Sequence, residues 1–125
     1  MSWKCLFGLQ TILLLVLLIV CGWIAFRYVE LKTRLGLANG QTEIFEDMRQ
    51  QALGAETSKA ASCLRYTVNY YPPGTKQVPG TTLNRIVERQ RAVVVADIIA
   101  HLRAKSGRDL GNDPEAWIQA YSTTP

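Results

Sequence analysis

The feature that most constrains this chain is a long, uncharged and mostly apolar segment near its N-terminus. Leu6–Phe26 contains 21 residues and no charged side chain. At a rise of about 1.5 Å per residue, a helix of this length spans roughly 30 Å, the thickness of the hydrocarbon core of a bilayer. Lys4 and Arg27 flank the segment, and Trp23 lies near its C-terminal end, where aromatic rings favour the headgroup layer. The pattern predicts one transmembrane helix whose ends are marked by Lys4, Trp23 and Arg27.

Two other interpretations of the segment stay open, cleavage as a signal peptide and attachment of a lipid. The apolar region of a signal peptide usually has about 7–15 residues and is followed by small residues at the cleavage site. Here the apolar run is longer and no such site follows it. The sequence Leu18–Gly22 resembles a lipobox around Cys21, except that Val20 stands where a small residue is expected. We favour the uncleaved anchor.

Basic residues on the two sides of the span favour one orientation by a small margin. Arg27, Lys32 and Arg34 follow the segment, whereas Lys4 and the α-amine precede it. Under the positive-inside rule, this difference leans toward a C-terminal domain on the cytoplasmic side of a cell membrane. Because the apolar segment is predicted to cross a membrane, the lipid bilayer is the first partner that the sequence predicts.

Composition limits the other ligands that the chain is expected to bind. The net charge of +4 is modest and spread along the chain, so it fits weak attraction to anionic headgroups better than a nucleic-acid surface. Cys5 lies beside the span and Cys21 lies within it, so Cys63 is the only cysteine of the predicted soluble domain. With His101 as the only histidine, soft metal ligands are too few for a site. We expect no nucleic acid, no metal and no cofactor.

The residues after the span divide into a short connection and a small domain. Tyr28, Leu31 and Leu35 continue a helical spacing, but Gly36 and Asn39-Gly40 interrupt it, so residues 36–41 are predicted to be a linker or turn. The predicted division is a flank at 1–5, an anchor at 6–26, a juxtamembrane helix and linker at 27–41, and a helical soluble domain at 42–125.

The soluble domain is predicted to be all-α. Helical spacing resumes at Thr57, and residues 64–71 fit a helix better than a strand, although their tyrosines also suit a strand. Prolines and glycines make residues 72–80 a loop. A long helix follows from Thr82 to Ser106, with Thr81 as its N-cap and Gly107 as its C′ residue. Asp113 and Pro114 begin a short last helix that ends at Tyr121. We expect the helix that resumes at Thr57 and the long helix from Thr82 to Ser106 to pack as an antiparallel hairpin.

The long helix has a broad apolar face and a basic face. Arg85, Arg89 and Arg91 lie mostly off the apolar face, and with Glu88 between them they are predicted to be solvated. The predicted apolar face consists of Leu83, Ile86, Val87, Val94, Ile98 and Leu102, broadened by Val93, Val95 and Ile99.

Two further groups of residues are candidates for packing and recognition. Trp117 and Tyr121 are the large side chains of the short helix, and we expect Trp117 to close one end of the groove between the two longer helices. The loop at residues 72–80 is predicted to be the most accessible recognition surface. Its candidate residues are Pro73, Gly74, Lys76 and Gln77.

Candidate catalytic and metal-binding residues have simpler structural explanations. Cys63 is expected to be a buried small side chain, and only the tertiary fold can bring it to His101 as a nucleophile–base pair. Asp109–Asp113 is rich in oxygen ligands, but the twelfth residue from Asp109 is Ala120 rather than the glutamate of an EF-hand. A turn followed by a helix cap accounts for the same residues.

Residues 64–121 contain several short motifs, which are Tyr70-Tyr71-Pro72, Gly74-Thr75-Lys76-Gln77, Ile86-Val87-Glu88, Leu102-Arg103 and the motif from Asp109 to Trp117. Through these motifs the stretch Leu64–Tyr121 resembles bacterial membrane-anchored helical proteins that have no assigned activity, and its ending at 107–117 is similar to the last unit of HEAT-like helical repeats. The resemblance implies a helical hairpin with a tryptophan lock and says nothing about substrates.

These observations favour a non-catalytic, membrane-anchored module that interacts with a protein partner or with itself in the membrane. A small accessory subunit of a larger membrane complex is one alternative. A membrane-bound enzyme that uses Cys63 and His101 is another.

Overall fold

The computed structural model describes residues 3–72 and 74–122 of the chain, and these residues form four helices without a strand. The all-α prediction is confirmed. Residues 64–69 are helical, as we expected for residues 64–71, and the helix ends before Tyr70 and Tyr71. The helices are α1 (Trp3–Leu53), α2 (Thr57–Asn69), α3 (Thr82–Ser106) and α4 (Pro114–Tyr121).

The chain divides into two compact units, Met1–Arg34 and Leu35–Pro125. In the first unit, the apolar side chains of α1 are exposed, as at Leu13, which is 69% exposed. Of the helices in the described residues, α1 alone is long and apolar enough to cross a membrane, and none of its apolar window is buried. The core helix of a soluble protein would instead bury that surface.

The predicted linker at residues 36–41 is wrong, because α1 stays helical through these residues. Gly36 and Gly40 were the reason for expecting a break, since glycine disfavours helix by about 1 kcal/mol relative to alanine. In the second unit, Ala38, Gln41 and Phe45 are buried at helical spacing around the two glycines. Burial of this stripe stabilises the helix by more than the glycines cost, and the second unit starts at Leu35 rather than at residue 42.

Helices α2 and α3 pack antiparallel, as predicted. Arg91 of α3 contacts the carbonyl oxygens at the C-terminal end of α2, while Lys105 lies 3.0 Å from Glu56 at the opposite end. Arg49 of α1 forms an ion pair with Asp97 of α3 at 2.6 Å. The apolar core comprises Ala38, Phe45, Ala52, Ala60, Cys63, Leu64, Val87, Val94, Ile98, Ile99, Leu102, Trp117 and Ile118.

The predicted helix caps of α3 and α4 are confirmed. Thr81 accepts a hydrogen bond from the Asn84 amide at 3.2 Å, and Asp113 accepts one from the Glu115 amide, also at 3.2 Å. Gly107 ends α3 with φ of 68°, a left-handed conformation that glycine adopts without a Cβ clash. These local signals set the bounds of both helices.

The predicted faces of α3 are partly wrong. Val87, Val94, Ile98 and Leu102 are buried as expected, but Ile86 and Val93 are 55% and 48% exposed. Arg91, expected to be solvated, is 8% exposed. Helical spacing places Arg91 within the buried stripe, four residues after Val87 and three before Val94, so only its charge suggested a solvated side chain. The end of α2 covers it, because the carbonyl groups there need donors.

Candidate functional site

The predicted ends of the membrane span differ in how much the structure shows of them. Trp23 is exposed on α1, and Arg27 is paired with Glu30 at 3.2 Å. Arg34 binds the other oxygen of Glu30 at 2.6 Å. Lys4 belongs to α1, but its side chain lies outside the described residues. Arg27, Glu30 and Arg34 therefore form an ion-paired group just after the predicted span.

Trp117, the residue predicted to act as an aromatic lock, lies in the core of the second unit. Trp117 is fully buried, and its indole N–H donates to the Gly111 carbonyl at 2.8 Å. Tyr121 stacks beside it with ring centroids 6.1 Å apart. The hydrogen bond compensates the one polar atom of the buried indole, so α4 is held against the turn that precedes it.

The oxygen-rich turn before α4 is held by a guanidinium and by backbone amides. Asp109 accepts hydrogen bonds from the Gly111 amide and from Nε of Arg103, both at 2.9 Å. These bonds, first that from Gly111, hold the pKa of the Asp109 carboxyl below its usual value. Over residues 3–72 and 74–122, no three acidic, histidine or cysteine side chains are grouped to hold a metal ion.

The proline-glycine loop is partly folded onto the second unit. Pro73 lies outside the described residues, while Gly74 has φ of +86° and closes the turn. Gln77 is only 4% exposed, and its side-chain amide donates to Oε1 of Gln41 at 3.4 Å. The expectation that Gln77 is an accessible recognition residue is therefore wrong. Its amide pairs with the other buried amide, because each would otherwise lose its hydrogen bonds to water.

Lys76, the remaining candidate of the loop, lies on aromatic rings. Its ammonium group is 3.5 Å from the centroid of the Tyr71 ring and 5.5 Å from that of Tyr70. A cation over a ring face is attracted by the ring quadrupole. The loop therefore places one positive charge directly beside a cluster of tyrosines.

Those tyrosines line a surface groove on α2, which we call the tyrosine groove. Tyr66 and Tyr70 stack at 5.3 Å, and Tyr70 meets Tyr71 edge-on at 4.7 Å. The groove is open to solvent, has a volume of about 510 Å³ and is formed by Ser62, Arg65, Tyr66, Asn69, Tyr70, Tyr71 and Pro72. The sequence indicated it only as a run of tyrosines, Tyr66, Tyr70 and Tyr71.

Arg91 is the buried residue that sequence reasoning missed. Its guanidinium donates to the carbonyl oxygens of Val68 at 3.0 Å and Tyr71 at 2.6 Å, and it lies 5.0 Å from the Phe45 ring centroid. Glu88 balances its charge at 3.3 Å. Arg91 thus supplies the donors that the last turn of α2 lacks, and it fixes the backbone beneath the tyrosine groove.

The two residues of the enzyme alternative are both engaged in the fold. Cys63 is 3% exposed, and burial raises the pKa of its thiol, an effect that Lys59 partly offsets. Nε2 of His101 lies 3.2 Å from the Ala55 carbonyl, which can only accept, so this nitrogen donates a hydrogen bond. A nucleophilic cysteine needs a lowered pKa, the opposite of what burial does here.

No protein-family model, no curated protein and no solved structure matches the chain.

Proposed function

We propose that the chain is a single-pass membrane-anchored helical module that holds a partner protein, or a second copy of itself, at the bilayer. One observation carries the proposal: α1 is long and apolar enough to cross a membrane, and the apolar window is unburied. In water, such surface drives aggregation or partition into lipid. A helix satisfies its own backbone hydrogen bonds, so it can enter the hydrocarbon core.

The second unit supports an interaction role rather than a catalytic one. Trp117 and Phe45 are fully buried in its core, while Tyr66 and Tyr71 are 48% and 43% exposed. Burial raises the pKa of the Cys63 thiol, and His101 donates to a backbone carbonyl. Exposed tyrosines are common anchors of protein interfaces, since they combine apolar area with a hydrogen-bonding tip.

An accessory subunit of a larger membrane complex is the second candidate. Ile86 and Val93 are exposed one above the other on α3, at a spacing of seven residues. A subunit removed from its complex would leave such side chains in water. The resemblance to membrane-anchored helical proteins with a HEAT-like last unit stays a prediction that agrees with either role.

Anchoring is tested by extracting membranes that contain the full-length chain with alkaline carbonate and floating them on a density gradient. We expect the chain to float with lipid, with an intact N-terminus by mass spectrometry. Introducing two arginines, as Leu14→Arg and Leu17→Arg, should release it, since each costs about 2.5–3.5 kcal/mol at the centre of a span. Cys21→Ser should float like the wild type, because the proposed anchor is the apolar helix and not a lipid attached covalently to Cys21.

A chain that is freely soluble with its N-terminus intact would overturn the proposal, and so would release of Cys21→Ser, which would indicate lipidation.

Interaction is tested by purification in mild detergent. A stoichiometric partner or a defined oligomer is expected, and a monodisperse monomer without a reproducible partner would contradict it. Protease protection in sealed vesicles would show whether the C-terminal unit faces the cytoplasm.

A further inference from the structure

The tyrosine groove has a fixed floor rather than an adaptable one. Tyr70 packs edge-on against the buried ring of Phe45, with centroids 6.0 Å apart. Tyr71 has a left-handed backbone with φ of 45°, a conformation that a residue with a bulky side chain rarely adopts, and Arg91 holds its carbonyl at 2.6 Å. The rings of Tyr66 and Tyr71 are thereby displayed in a set arrangement, which lowers the entropy lost on binding.

The groove also has a definite charge. Its lining contains the cation Arg65 and no carboxylate, and Lys76 adds a second positive charge where it lies over Tyr71. Within the part of the chain that the structure describes, neither Arg65 nor Lys76 forms an ion pair. An occupant with one or two acidic groups beside its apolar contacts would complement this surface.

Hydrogen-bond donors line the same groove. Among the described residues, the phenol groups of Tyr66, Tyr70 and Tyr71 have no hydrogen-bond partner within the chain, so each can donate to an incoming acceptor. A polyproline II segment has backbone carbonyls without internal hydrogen bonds. An acyl chain would leave the three phenols without an acceptor, which disfavours lipid as the occupant.

From these observations we propose that the tyrosine groove binds an extended, proline-containing segment of a partner protein that carries acidic residues beside its prolines. Stacked aromatic rings accept the flat faces of proline rings, which is how known aromatic-lined grooves recognise such segments. The phenols bind the peptide carbonyls, and Arg65 and Lys76 bind the acidic side chains. The inference specifies the partner of the proposed function and rests on it.

The test uses the full-length chain reconstituted in neutral liposomes and a fluorescent peptide of about ten residues, with alternating prolines and two aspartates at each end. Liposome flotation reports the anchor, and fluorescence anisotropy reports binding to the same vesicles. We expect saturable binding that Tyr66→Ala weakens by about tenfold or more, as expected for an aromatic anchor. Arg65→Glu should weaken it by a similar factor and remove most of the effect of added salt, because the groove would then carry no net positive charge. Ile86→Ala, at an exposed site on α3, is the matched control and should bind like the wild type.

Three results would overturn the proposal while the chain still floats with the liposomes. They are absence of saturable binding, equal binding of a peptide with alanines in place of the prolines, and unchanged affinity of Tyr66→Ala. Equal binding of the alanine peptide would indicate that the groove recognises the acidic side chains alone and not the prolines. Failure to float would contradict the proposed function instead, so the two failures are distinguishable.

Discussion

The guanidinium of Arg91 donates a 2.6 Å hydrogen bond to the carbonyl of Tyr71, a residue twenty positions earlier with a left-handed backbone. This contact joins the buried interior of the second unit to the surface that displays the tyrosines. Replacing Arg91 should therefore lower the stability of the second unit and change the shape of the tyrosine groove.

Replacing Arg91 is therefore predicted to destabilise the second unit. Arg91→Met should lower the free energy of unfolding by about 3 kcal/mol, because Glu88 and the carbonyls at the end of α2 would lose their partner. Arg91→Lys should cost less, about 1–2 kcal/mol, because an ammonium group cannot reach all of the carbonyls at once. Chemical denaturation in micelles, followed by near-ultraviolet circular dichroism, measures both. Arg89→Ala, an exposed neighbour, is the control, and equal stability of Arg89→Ala and Arg91→Met would contradict the assignment.

The aromatic lock predicts a graded response at Trp117. Trp117→Phe should cost about 1–2 kcal/mol, since it removes one hydrogen bond and part of the ring, whereas Trp117→Ala should cost about 4 kcal/mol. The same unfolding measurement applies. Trp23→Phe, in the exposed apolar part of α1, should leave the unfolding of the second unit unchanged. A Trp117→Ala protein as stable as the wild type would show that the indole is not a core residue.

The continuity of α1 through residues 36–41 predicts that alanine stabilises it there. A Cβ added at Gly36 or at Gly40 would meet nothing within 4 Å, so each substitution to alanine should raise the free energy of unfolding by about 1 kcal/mol. Gly107→Ala is the contrasting control: its φ of +68° should make the same change destabilising by about 1 kcal/mol. Loss of stability in Gly36→Ala and Gly40→Ala would indicate a bend in place of the helix.

The environment of Cys63 predicts slow alkylation. In a variant with Cys5→Ser and Cys21→Ser, the remaining thiol is buried and its pKa is raised, so little thiolate is accessible near neutral pH. Reaction with a maleimide should be slower than in the denatured chain by about a hundredfold or more. Stopped-flow labelling in micelles with and without denaturant measures the ratio. Comparable rates in the two states would support the enzyme alternative.

The lowered pKa of Asp109 predicts a dependence of stability on acid pH. The ionised carboxylate accepts bonds from Gly111 and Arg103, so its contribution is present above the ordinary value of 3.8 and is lost as the pH falls through the lower pKa of the folded state. Asp109→Asn should therefore be less stable than the wild type near neutral pH, and the difference should shrink as the pH falls below 3.8. Unfolding midpoints of both proteins across this range measure it. A difference that persists or grows in acid would contradict this origin.

Local patterns predicted much of this protein because local chemistry determines them. The apolar run Leu6–Phe26 indicated the only helix of the described residues that can cross a membrane. Thr81, Gly107 and Asp113 marked the ends of helices from the backbone groups that they satisfy. The burial of Trp117 followed from its size in a domain with few large apolar residues.

Only the tertiary structure decided the rest, because those features depend on which distant residues meet. Gly36 and Gly40 look like helix breakers until Gln41 and Phe45 are buried between packed helices. Gln77 and Arg91 look like surface residues until Gln41 and the end of α2 provide their hydrogen-bond partners. The energy of burying a polar group depends on a partner that is far away in the sequence, and so it is settled only when the chain has folded.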